Sequence, residues 1–380
     1  MHCDYFSAQL CRSCVRMGVP YEQQLEDKQG TVRALVGNRP GLVWHEPMGS
    51  RESGFRNKAK MVVTGTAEDP QLGIVDRRGR GTDLSECGLY PQEITDALPM
   101  LKDFVREHRL VPYDIAARRG ELKNLIVTIS PQRELMVRFV LRSKKYVVPI
   151  RQGVPELKKS LPGLRVVSAN ILREHKAVME GPEEIPLTDQ RVLPMRLNGI
   201  DLHLRPHGFF QTNSEIAAGM YRQAAAWAES VSPSSVWDLF CGVGGFAMHL
   251  AEKLGDSVEV RGIEIDPEAI EAARSSARSA GLHHIDFAAA DAGTFTNGSH
   301  DEPDCVVVNP PRRGIGLETA RWLESSRVAT VIYSSCNAES LAQDLDALRS
   351  FTAVEARLFD MFPQTTHSET MVLLRRRGEP

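Results

Sequence analysis

The chain has 380 residues, a hydrophobic content of 42% and a formal net charge of −3, which is enough sequence for two or three domains. No apolar run is long enough to span a bilayer, and the first residues lack the basic and apolar regions of a signal peptide, so we expect a cytoplasmic protein that binds no membrane. The net charge hides an asymmetry, since residues 1–180 hold 29 basic against 21 acidic side chains and the remainder 17 against 28. A polyanionic partner is therefore expected on the N-terminal half and a small cofactor on the C-terminal half, although a merely solvated basic surface is an alternative.

Four of the seven cysteines lie in the first 90 residues, at Cys3, Cys11, Cys14 and Cys87. Cys11 and Cys14 form a C-x-x-C pair, whose turn can direct both sulfurs towards one metal centre. Four thiolates could hold structural zinc or a [4Fe–4S] cluster. The 72 residues between Cys14 and Cys87 are unusual for a zinc ribbon and favour the cluster, while zinc or unrelated thiols remain alternatives.

The segment Gly54–Met61, GFRNKAKM, interleaves three cations with an aromatic ring and an amide. The strands Met61–Gly65 and Gln71–Val75 follow it as a predicted hairpin. The basic segment has two interpretations: a strip that follows the phosphates of a nucleic acid, or a charged strand edge that prevents aggregation.

Residues 91–192 alternate helical and strand patterns and predict a mixed α+β region. The expected elements are the helices 93–110 and 151–161 and the strands 125–129, 135–141, 166–172 and 177–180. Outward-facing cations at Arg138, Arg142, Lys144 and Lys145 would suit a sheet that binds RNA with one face. Residues 182–193 resemble a connector, so the predicted segments are 1–90 for the cysteines and the start of the sheet, 91–192 for RNA binding, and 193–380 for the catalytic domain.

The stretch Val236–Gly245, VWDLFCGVGG, predicts a strand, a glycine-rich turn and the start of a helix. The strand Val258–Asp266 follows, and Glu264 near its end could accept both hydroxyls of a ribose. Glycines alone are weak evidence, but with Asp238 and Glu264 the pattern resembles the S-adenosylmethionine (SAM) site of class I methyltransferases. Alternating strands and helices then predict an α/β domain with a parallel, Rossmann-like sheet. Earlier in the chain, Gln211 lies just before a predicted helix that starts at Asn213 or Ser214. From the loop before that helix, Gln211 could contact a ligand.

The strand ends converge on one rim of such a sheet. They carry Asp238, Phe240, Glu264, Asp291, Asn309 and Cys336. The Asn309-Pro310-Pro311 loop resembles that of amino-group methyltransferases, but Arg312 stands where those enzymes have an aromatic residue. That departure argues against methylation of adenine N6.

Cys336 and Glu369 suggest a different reaction. C5 of uracil is a poor nucleophile, and addition of a thiolate to C6 makes C5 able to attack an electrophilic methyl group. A base must then remove the C5 proton before the thiolate leaves. Cys336 and Glu369 could supply these two groups, whereas Cys241 and Cys305 are more simply explained as buried small residues.

The segments FFQTN, WDLFCGVGGF, GIEID, VNPPRRGIG, YSSCN and LFDMFPQTTHSE resemble those of the RNA uracil-C5 methyltransferase family, over nearly the whole chain. The N-terminal cysteines and GFRNKAKMVV resemble the iron–sulfur members that act on 23S rRNA. The resemblance implies a [4Fe–4S] cluster on Cys3, Cys11, Cys14 and Cys87. It also implies SAM contacts from Gln211, Phe240, Glu264 and Asn309, with Cys336 as the nucleophile and Glu369 as the base.

Two features separate this sequence from many relatives. Those relatives have a small OB-like TRAM domain before the first cysteine, and its lack here resembles the subfamily that methylates the uridine conventionally numbered 747 in 23S rRNA. The family often has Asp where this chain has Asn309, whose amide can contact a ligand but is a poor base. A tRNA uridine methyltransferase and a non-catalytic iron–sulfur RNA-binding protein remain alternatives, and no obligate protein partner is evident.

Overall fold

A computed structural model describes residues 1–76, 78–175, 178–298 and 301–378. The helices are α1 (Asp4–Ser7), α2 (Tyr21–Val36), α3 (Gln92–Glu107), α4 (Val147–Ser160), α5 (Ser214–Val231), α6 (Gly245–Leu254), α7 (Pro267–Ser279), α8 (Ala292–Gly298), α9 (Gly316–Ser325) and α10 (Ala338–Ala347). The strands are β1 (Val43–Trp44), β2 (Lys58–Gly65), β3 (Pro70–Val75), β4 (Gly81–Asp83), β5 (Leu122–Ile129), β6 (Leu135–Leu141), β7 (Leu164–Ile171), β8 (Glu183–Pro186), β9 (Leu193–Leu197), β10 (Ile200–Leu204), β11 (Ser235–Leu239), β12 (Glu259–Glu264), β13 (Ile285–Ala289), β14 (Cys305–Val308), β15 (Thr330–Ser335), β16 (Phe351–Phe359) and β17 (Glu369–Arg376). Within these residues, no helix has the length and apolar content needed to cross a membrane.

The chain forms two compact units, and neither is one continuous segment. The first unit comprises residues 1–17, 52–196 and 204–207, and the second comprises residues 18–51, 197–203 and 208–380. This division differs from the expected segments 1–90, 91–192 and 193–380. The strand β2 pairs with β5, so the first two expected segments share one sheet. Residues 18–51 instead belong with the C-terminal part of the chain.

The first unit is a twisted sheet with helices packed on one face. Its strand order is β4-β3-β2-β5-β6-β7-β8, with β6 and β7 parallel and the other neighbours antiparallel. Alternate residues of the strands, such as Met61, Val127 and Phe139, point into a core shared with α3 and α4. This alternation is the period-two pattern from which the strands were predicted.

One predicted feature of this sheet is wrong: Arg138 does not face outward. Its side chain is buried, and its guanidinium donates to Glu180 at 2.5 Å and to Glu184 at 2.6 Å. Arg142 pairs with Glu121, and Lys144 with Glu183. Because acidic partners neutralise these three cations, the basic count of this region overstates the charge available to an RNA phosphate.

Two further differences concern the end of this region. The strand expected at 177–180 begins outside the described residues, and residues 178–180 are irregular. The predicted connector instead contains β8, which pairs antiparallel with β7. Glu184 of β8 contacts Arg138 in β6, so the strand carries a partner for a buried charge that local patterning does not reveal.

The second unit has the predicted Rossmann-like α/β fold. Its strand order is β1-β16-β17-β15-β14-β11-β12-β13, and β11 to β15 run parallel. The strand β17 is antiparallel to both β15 and β16. The order reverses between β11 and β14, and the crevice at such a switch point is where open α/β sheets bind ligands.

Residues 18–51 add the helix α2 and the short strand β1 to this unit. Val32 and Val36 of α2 are 3% and 2% exposed and pack in the same core as Trp237 and Leu374. β1 pairs parallel with β16. The sequence did not reveal this assignment, because the contacts join residues about 200 to 340 positions apart in the numbering.

Candidate active site

One cavity of about 580 Å³ lies at the carboxyl ends of the parallel strands of the second unit. Its lining includes all six of the residues that the sequence assigned to catalysis or to cofactor binding, namely Gln211, Phe240, Glu264, Asn309, Cys336 and Glu369. The volume is in the range of small-molecule sites, which run from about 300 to 1,000 Å³. The structure therefore brings the predicted site residues together in one place.

The turn after β11 gives a ligand close access to the backbone. Phe240 has a φ of +64°, and Gly242 and Gly244 have φ of +54° and +83°. Positive φ is readily adopted by glycine but strained for phenylalanine. A Cβ added at Gly245, where α6 begins, would lie 2.4 Å from the hydroxyl oxygen of Tyr221. The turn therefore presents backbone to the cavity, and Tyr221 fills the space in which a side chain at Gly245 would lie.

Glu264 is held at the edge of this turn by two backbone amides. Its Oε2 accepts from Gly242 at 3.1 Å, and its Oε1 accepts from Asp266 at 3.1 Å. Each carboxylate oxygen keeps acceptor capacity after one such bond. Glu264 is therefore oriented before any ligand arrives and could still accept from the hydroxyls of a ribose.

Asp238 is placed under the turn and not on the rim. Its side chain is buried, and its Oδ2 accepts from the amide of Ala247 at 2.9 Å in the first turn of α6. Burial raises the pKa of Asp238 to about 8. Asp238 thus stabilises the turn and does not line the cavity, which corrects its expected place among the rim groups.

Cys336 and Glu369 lie on neighbouring strands of the sheet. Cys336 follows the last residue of β15, and Glu369 is the first residue of β17, which pairs with β15. Within the described part of the chain, no hydrogen-bond partner meets Glu369 Oε2, although the side chain is 3% exposed. An unpaired buried oxygen at a cavity wall is costly, and its natural explanation is a ligand that the cavity receives.

The pKa values of this pair are raised. Burial raises the pKa of Glu369 to about 8, and the nearby Arg312 guanidinium opposes that rise. Burial also raises the pKa of the Cys336 thiol, the Glu369 carboxylate adds to the rise, and Arg312 opposes it. Sequence reasoning treated Arg312 only as a departure from another family's motif and missed this electrostatic role.

Three other residues of the lining were not assigned from the sequence. Phe362 comes from the segment between β16 and β17, Phe209 is 70% exposed, and Tyr221 lies in α5. Phe209 and Phe362 occur inside the quoted segments FFQTN and LFDMFPQTTHSE. The available signal was therefore that each of these segments also holds an assigned polar residue, Gln211 or Glu369. The tempting wrong nucleophile, Cys241, is buried in the glycine turn, and burial raises the pKa of its thiol well above the usual value.

A second cavity, of about 240 Å³, lies in the first unit and is lined by all four N-terminal cysteines. All four thiols are free of disulfide bonds. Burial raises the pKa of the Cys14 thiol to about 12, and the nearby Cys87, Cys11 and Cys3 add to the rise. Cys14 and Cys87, with 72 residues between them in sequence, therefore line the same cavity of the fold.

The spacing of these thiols can be compared with two kinds of metal centre. Within the described ranges, no group of three His, Cys, Asp or Glu side chains is arranged so that it could hold a metal ion. A tetrahedral zinc site needs sulfurs about 3.8 Å apart, since Zn–S bonds are about 2.3 Å long. In the described residues the four thiols line one cavity, and their arrangement there shows neither a zinc site nor an iron–sulfur site.

The basic segment Gly54–Met61, which runs into β2, contributes to this second cavity. Arg56 and Lys60 are part of its lining, whereas Lys58 is buried and burial lowers the pKa of its ammonium to about 8. Lys60 also lies 4.0 Å from Glu180. The segment does not form a continuous strip of exposed cations, so the phosphate-tracking interpretation loses most of its support.

The site and the fold define a class I methyltransferase, and comparison with known proteins gives the family. Residues 190–377 match the model of the tRNA (Uracil-5-)-methyltransferase family. The chain is 46% identical over 377 residues to the 23S rRNA (uracil(747)-C(5))-methyltransferase RlmC of Serratia proteamaculans, which covers 99% of this chain and 100% of that protein. The chain therefore belongs to the RNA uracil-C5 methyltransferase family, as its motifs predicted.

A second curated protein and one solved structure are also similar to this chain. The protein of the same name from Yersinia pestis is 46% identical over 375 residues, which covers 98% of this chain and 99% of that protein. The crystal structure of Pyrococcus abyssi tRNA (uracil-54, C5)-methyltransferase in complex with S-adenosyl-L-homocysteine matches with a TM-score of 0.79 at 24% identity. That match covers 95% of this chain and 85% of the other, and it confirms the fold.

Proposed function

We propose that this protein transfers a methyl group from SAM to C5 of a uridine in 23S rRNA, at the position conventionally numbered 747. The observation that carries the proposal is the shared cavity, in which Cys336 and Glu369 lie beside the strand ends that would hold the cofactor. The two relatives at 46% identity are named for this reaction and this RNA position.

The proposed cofactor contacts come from Gln211, Phe240, Glu264 and Asn309. Bound SAM would supply an electrophilic methyl group. Glu264 would accept from the ribose hydroxyls, because two backbone amides already orient its carboxylate. Asn309 follows β14 at the switch point of the sheet and would contact the ligand through its amide, with no role in proton transfer.

The proposed reaction proceeds through the uracil ring. The Cys336 thiolate forms a bond to C6, and the electrons of the C5=C6 double bond move towards the C4 carbonyl. C5 would then form a bond to the methyl carbon while the bond from that carbon to the sulfonium sulfur breaks, which would leave S-adenosyl-L-homocysteine and restore the C4 carbonyl. Glu369 removes the C5 proton, the double bond forms again, and the bond between Cys336 and C6 breaks. The target uridine must leave its base stack, since both C5 and C6 have to reach the cavity.

Replacement of Cys336 by alanine tests this assignment. The Cys336→Ala protein should lose methyl transfer to unmodified 23S rRNA, because no other thiol is assigned to attack C6. It should also form no covalent adduct with RNA that contains 5-fluorouridine, whereas the native protein should form one. The assays are transfer of labelled methyl from SAM and gel shift under denaturing conditions.

Cys305→Ala is the matched control, because Cys305 is buried in β14 and is not part of the cavity lining. This variant should keep both activities. Methyl transfer retained by Cys336→Ala would remove Cys336 as the nucleophile.

The competing substrate is a tRNA, which the name of the matching family model favours. Transcripts of unmodified tRNA and of the 23S segment around uridine 747 can be compared with the same enzyme preparation. We expect methylation of the 23S transcript at one uridine. Efficient methylation of the tRNA, without methylation of the 23S transcript, would show that the substrate is a tRNA and not 23S rRNA.

We further propose that Cys3, Cys11, Cys14 and Cys87 hold a [4Fe–4S] cluster. The four free thiols that line one cavity support it. An anaerobic preparation should be brown and contain about four iron atoms per chain, with absorbance that disappears in a Cys87→Ala variant. Cys305→Ala should keep its iron, and a colourless protein with one zinc per chain would contradict the proposal.

A further inference from the structure

The segment 360–368 joins β16 to β17 and leads directly to Glu369. It carries Phe362, which lines the same cavity as Cys336 and Glu369. Asp360 and Gln364 are 0% and 1% exposed, and Gln364 has a φ of +66°. A buried carboxylate and a strained backbone persist only where the surroundings hold them in place.

The helix α2 supplies an ionic contact that holds this segment. Lys28 Nζ donates to Asp360 Oδ1 at 2.6 Å and to the carbonyl oxygen of Phe362 at 3.0 Å. The side chains of Lys28 and Asp360 are 4% and 0% exposed. One ammonium group thus connects the start of the segment with the residue that reaches the cavity.

Two neutral side chains of the same helix add to this contact. Gln24 Nε2 donates to Gln364 Oε1 at 3.0 Å, and the backbone N–H of Gln364 donates back to Gln24 Oε1 at 3.0 Å. The Tyr21 hydroxyl donates to Asp360 Oδ2 at 2.8 Å. The polar side chains of α2 at Tyr21, Gln24 and Lys28 recur at helical spacing and face this one segment.

We propose that Lys28 is a positioning residue for the reaction, and that α2 holds the segment 360–368 so that Phe362 and Glu369 face the target uracil. This inference rests on the proposed roles of Cys336 and Glu369. The helix precedes residues 190–377, the part of the chain that matches the family model. A small displacement of reacting groups, of about 1 Å, can lower a rate by about 10²-fold, so a distant tether can control the chemical step.

Lys28→Met tests the proposal, because it removes the ammonium group and keeps a long apolar side chain. We expect the single-turnover rate of methyl transfer to fall by about 10²-fold. The affinity for SAM should stay within about threefold of the native value, since α2 does not line the cavity. Hydrogen exchange followed by mass spectrometry should show faster exchange at residues 360–367, with the exchange of α6 unchanged.

Arg39→Met is the matched control. It removes another cation shortly after the same helix, one that pairs with Asp346, whose side chain is 75% exposed. This variant should keep the native rate and the native exchange of residues 360–367. An equal loss of rate in Arg39→Met would show a general effect of the segment and would overturn the specific role of Lys28.

The double variant Lys28→Met/Asp360→Asn separates positioning from stability. Neutralising Asp360 removes the unpaired buried charge and should restore most of the melting temperature. The rate should stay low, because Phe362 still lacks its Lys28 donor. Recovery of the rate together with the melting temperature would reduce Lys28 to a structural residue.

The Lys28→Met protein could fail to fold, or the native protein could be inactive. If Lys28→Met does not fold, Tyr21→Phe replaces it, and this smaller change should give a partial loss of rate with faster exchange at residues 360–367. If the native protein methylates no uridine, the proposed function fails, and the exchange experiment still decides whether Lys28 holds the segment. Unchanged exchange in Lys28→Met would overturn the inference whatever the activity.

Discussion

At the scale of single residues, the proposed chemistry would depend on the protonation of Cys336 and Glu369. Burial raises both pKa values, and the Arg312 guanidinium opposes the rise at each group. The proposed reaction needs a thiolate and a carboxylate, so both groups would be active in the form that burial disfavours. Arg312 therefore extends activity towards lower pH.

The rate of methyl transfer should depend on pH. Log kcat/KM should rise with pH as the two groups lose protons, with its bend at about 8 or above. Arg312→Met should move the bend to higher pH, because the positive charge no longer favours the deprotonated forms. The measurement is methyl transfer to unmodified rRNA over pH 6 to 10 at saturating SAM.

Arg313→Met is the control, since Arg313 also lines the cavity but is not a cause of either pKa shift. It can change the KM for RNA but should leave the bend in place. If Arg312→Met and the native enzyme bend at the same pH, Arg312 does not set these pKa values.

At the scale of elements, the turn from β11 to α6 requires a residue without a side chain at Gly245. Tyr221 of α5 occupies the space next to Gly245, and it meets Phe246 edge-on with ring centroids 4.9 Å apart. Because α5 packs closely against the turn, Tyr221 forms part of the cavity wall. Any Cβ at Gly245 has to displace an aromatic side chain that is 6% exposed.

We predict that Gly245→Ala weakens SAM binding by about one to two powers of ten. Overpacking of a tight site costs about 1–3 kcal/mol, and the strain would fall on the turn that approaches the cofactor. Isothermal titration with SAM measures the change. Gly30→Ala is the control, because Gly30 lies on the exposed side of α2 with open space around it.

The Gly30→Ala variant should keep native affinity and gain about 0.5–1 kcal/mol of stability, since alanine favours a helix interior. Native SAM affinity in Gly245→Ala would mean that the turn can relax and is not the rigid cradle described above.

At the scale of the whole molecule, the methyltransferase unit is not a continuous C-terminal segment. Residues 18–51 contribute Val32 and Val36 to its core and Lys28 to the buried pair with Asp360. Each buried valine stabilises a fold by about 1.5–3 kcal/mol relative to an exposed one. The unpaired Asp360 carboxylate would add a further cost to any fragment without α2.

A fragment of residues 197–380 should therefore be unstable, with low thermal stability and binding of the dye ANS to exposed apolar surface. Co-expression with residues 18–51 should restore a folded protein that binds SAM. Differential scanning fluorimetry and size-exclusion chromatography measure both results. A fragment that is as stable as the full chain would show that α2 is dispensable for the unit.

The sequence by itself determined the fold class and the family, and it predicted a set of active-site residues. Strand ends in a parallel sheet converge for geometric reasons, so local motifs at those ends predicted a shared cavity that includes Gln211, Phe240, Glu264, Asn309, Cys336 and Glu369. The strand β6 has the predicted bounds, residues 135–141.

The tertiary structure alone decided the contacts between distant parts of the chain. It placed α2 in the methyltransferase unit, buried Arg138 between two glutamates, and joined Lys28 to Asp360. These contacts join residues far apart in sequence. The sequence pattern of a strand is the same whether its charged residue is hydrated or is paired with a remote carboxylate. Local patterns report which face of an element is apolar, but the partner of a buried charge is set by packing.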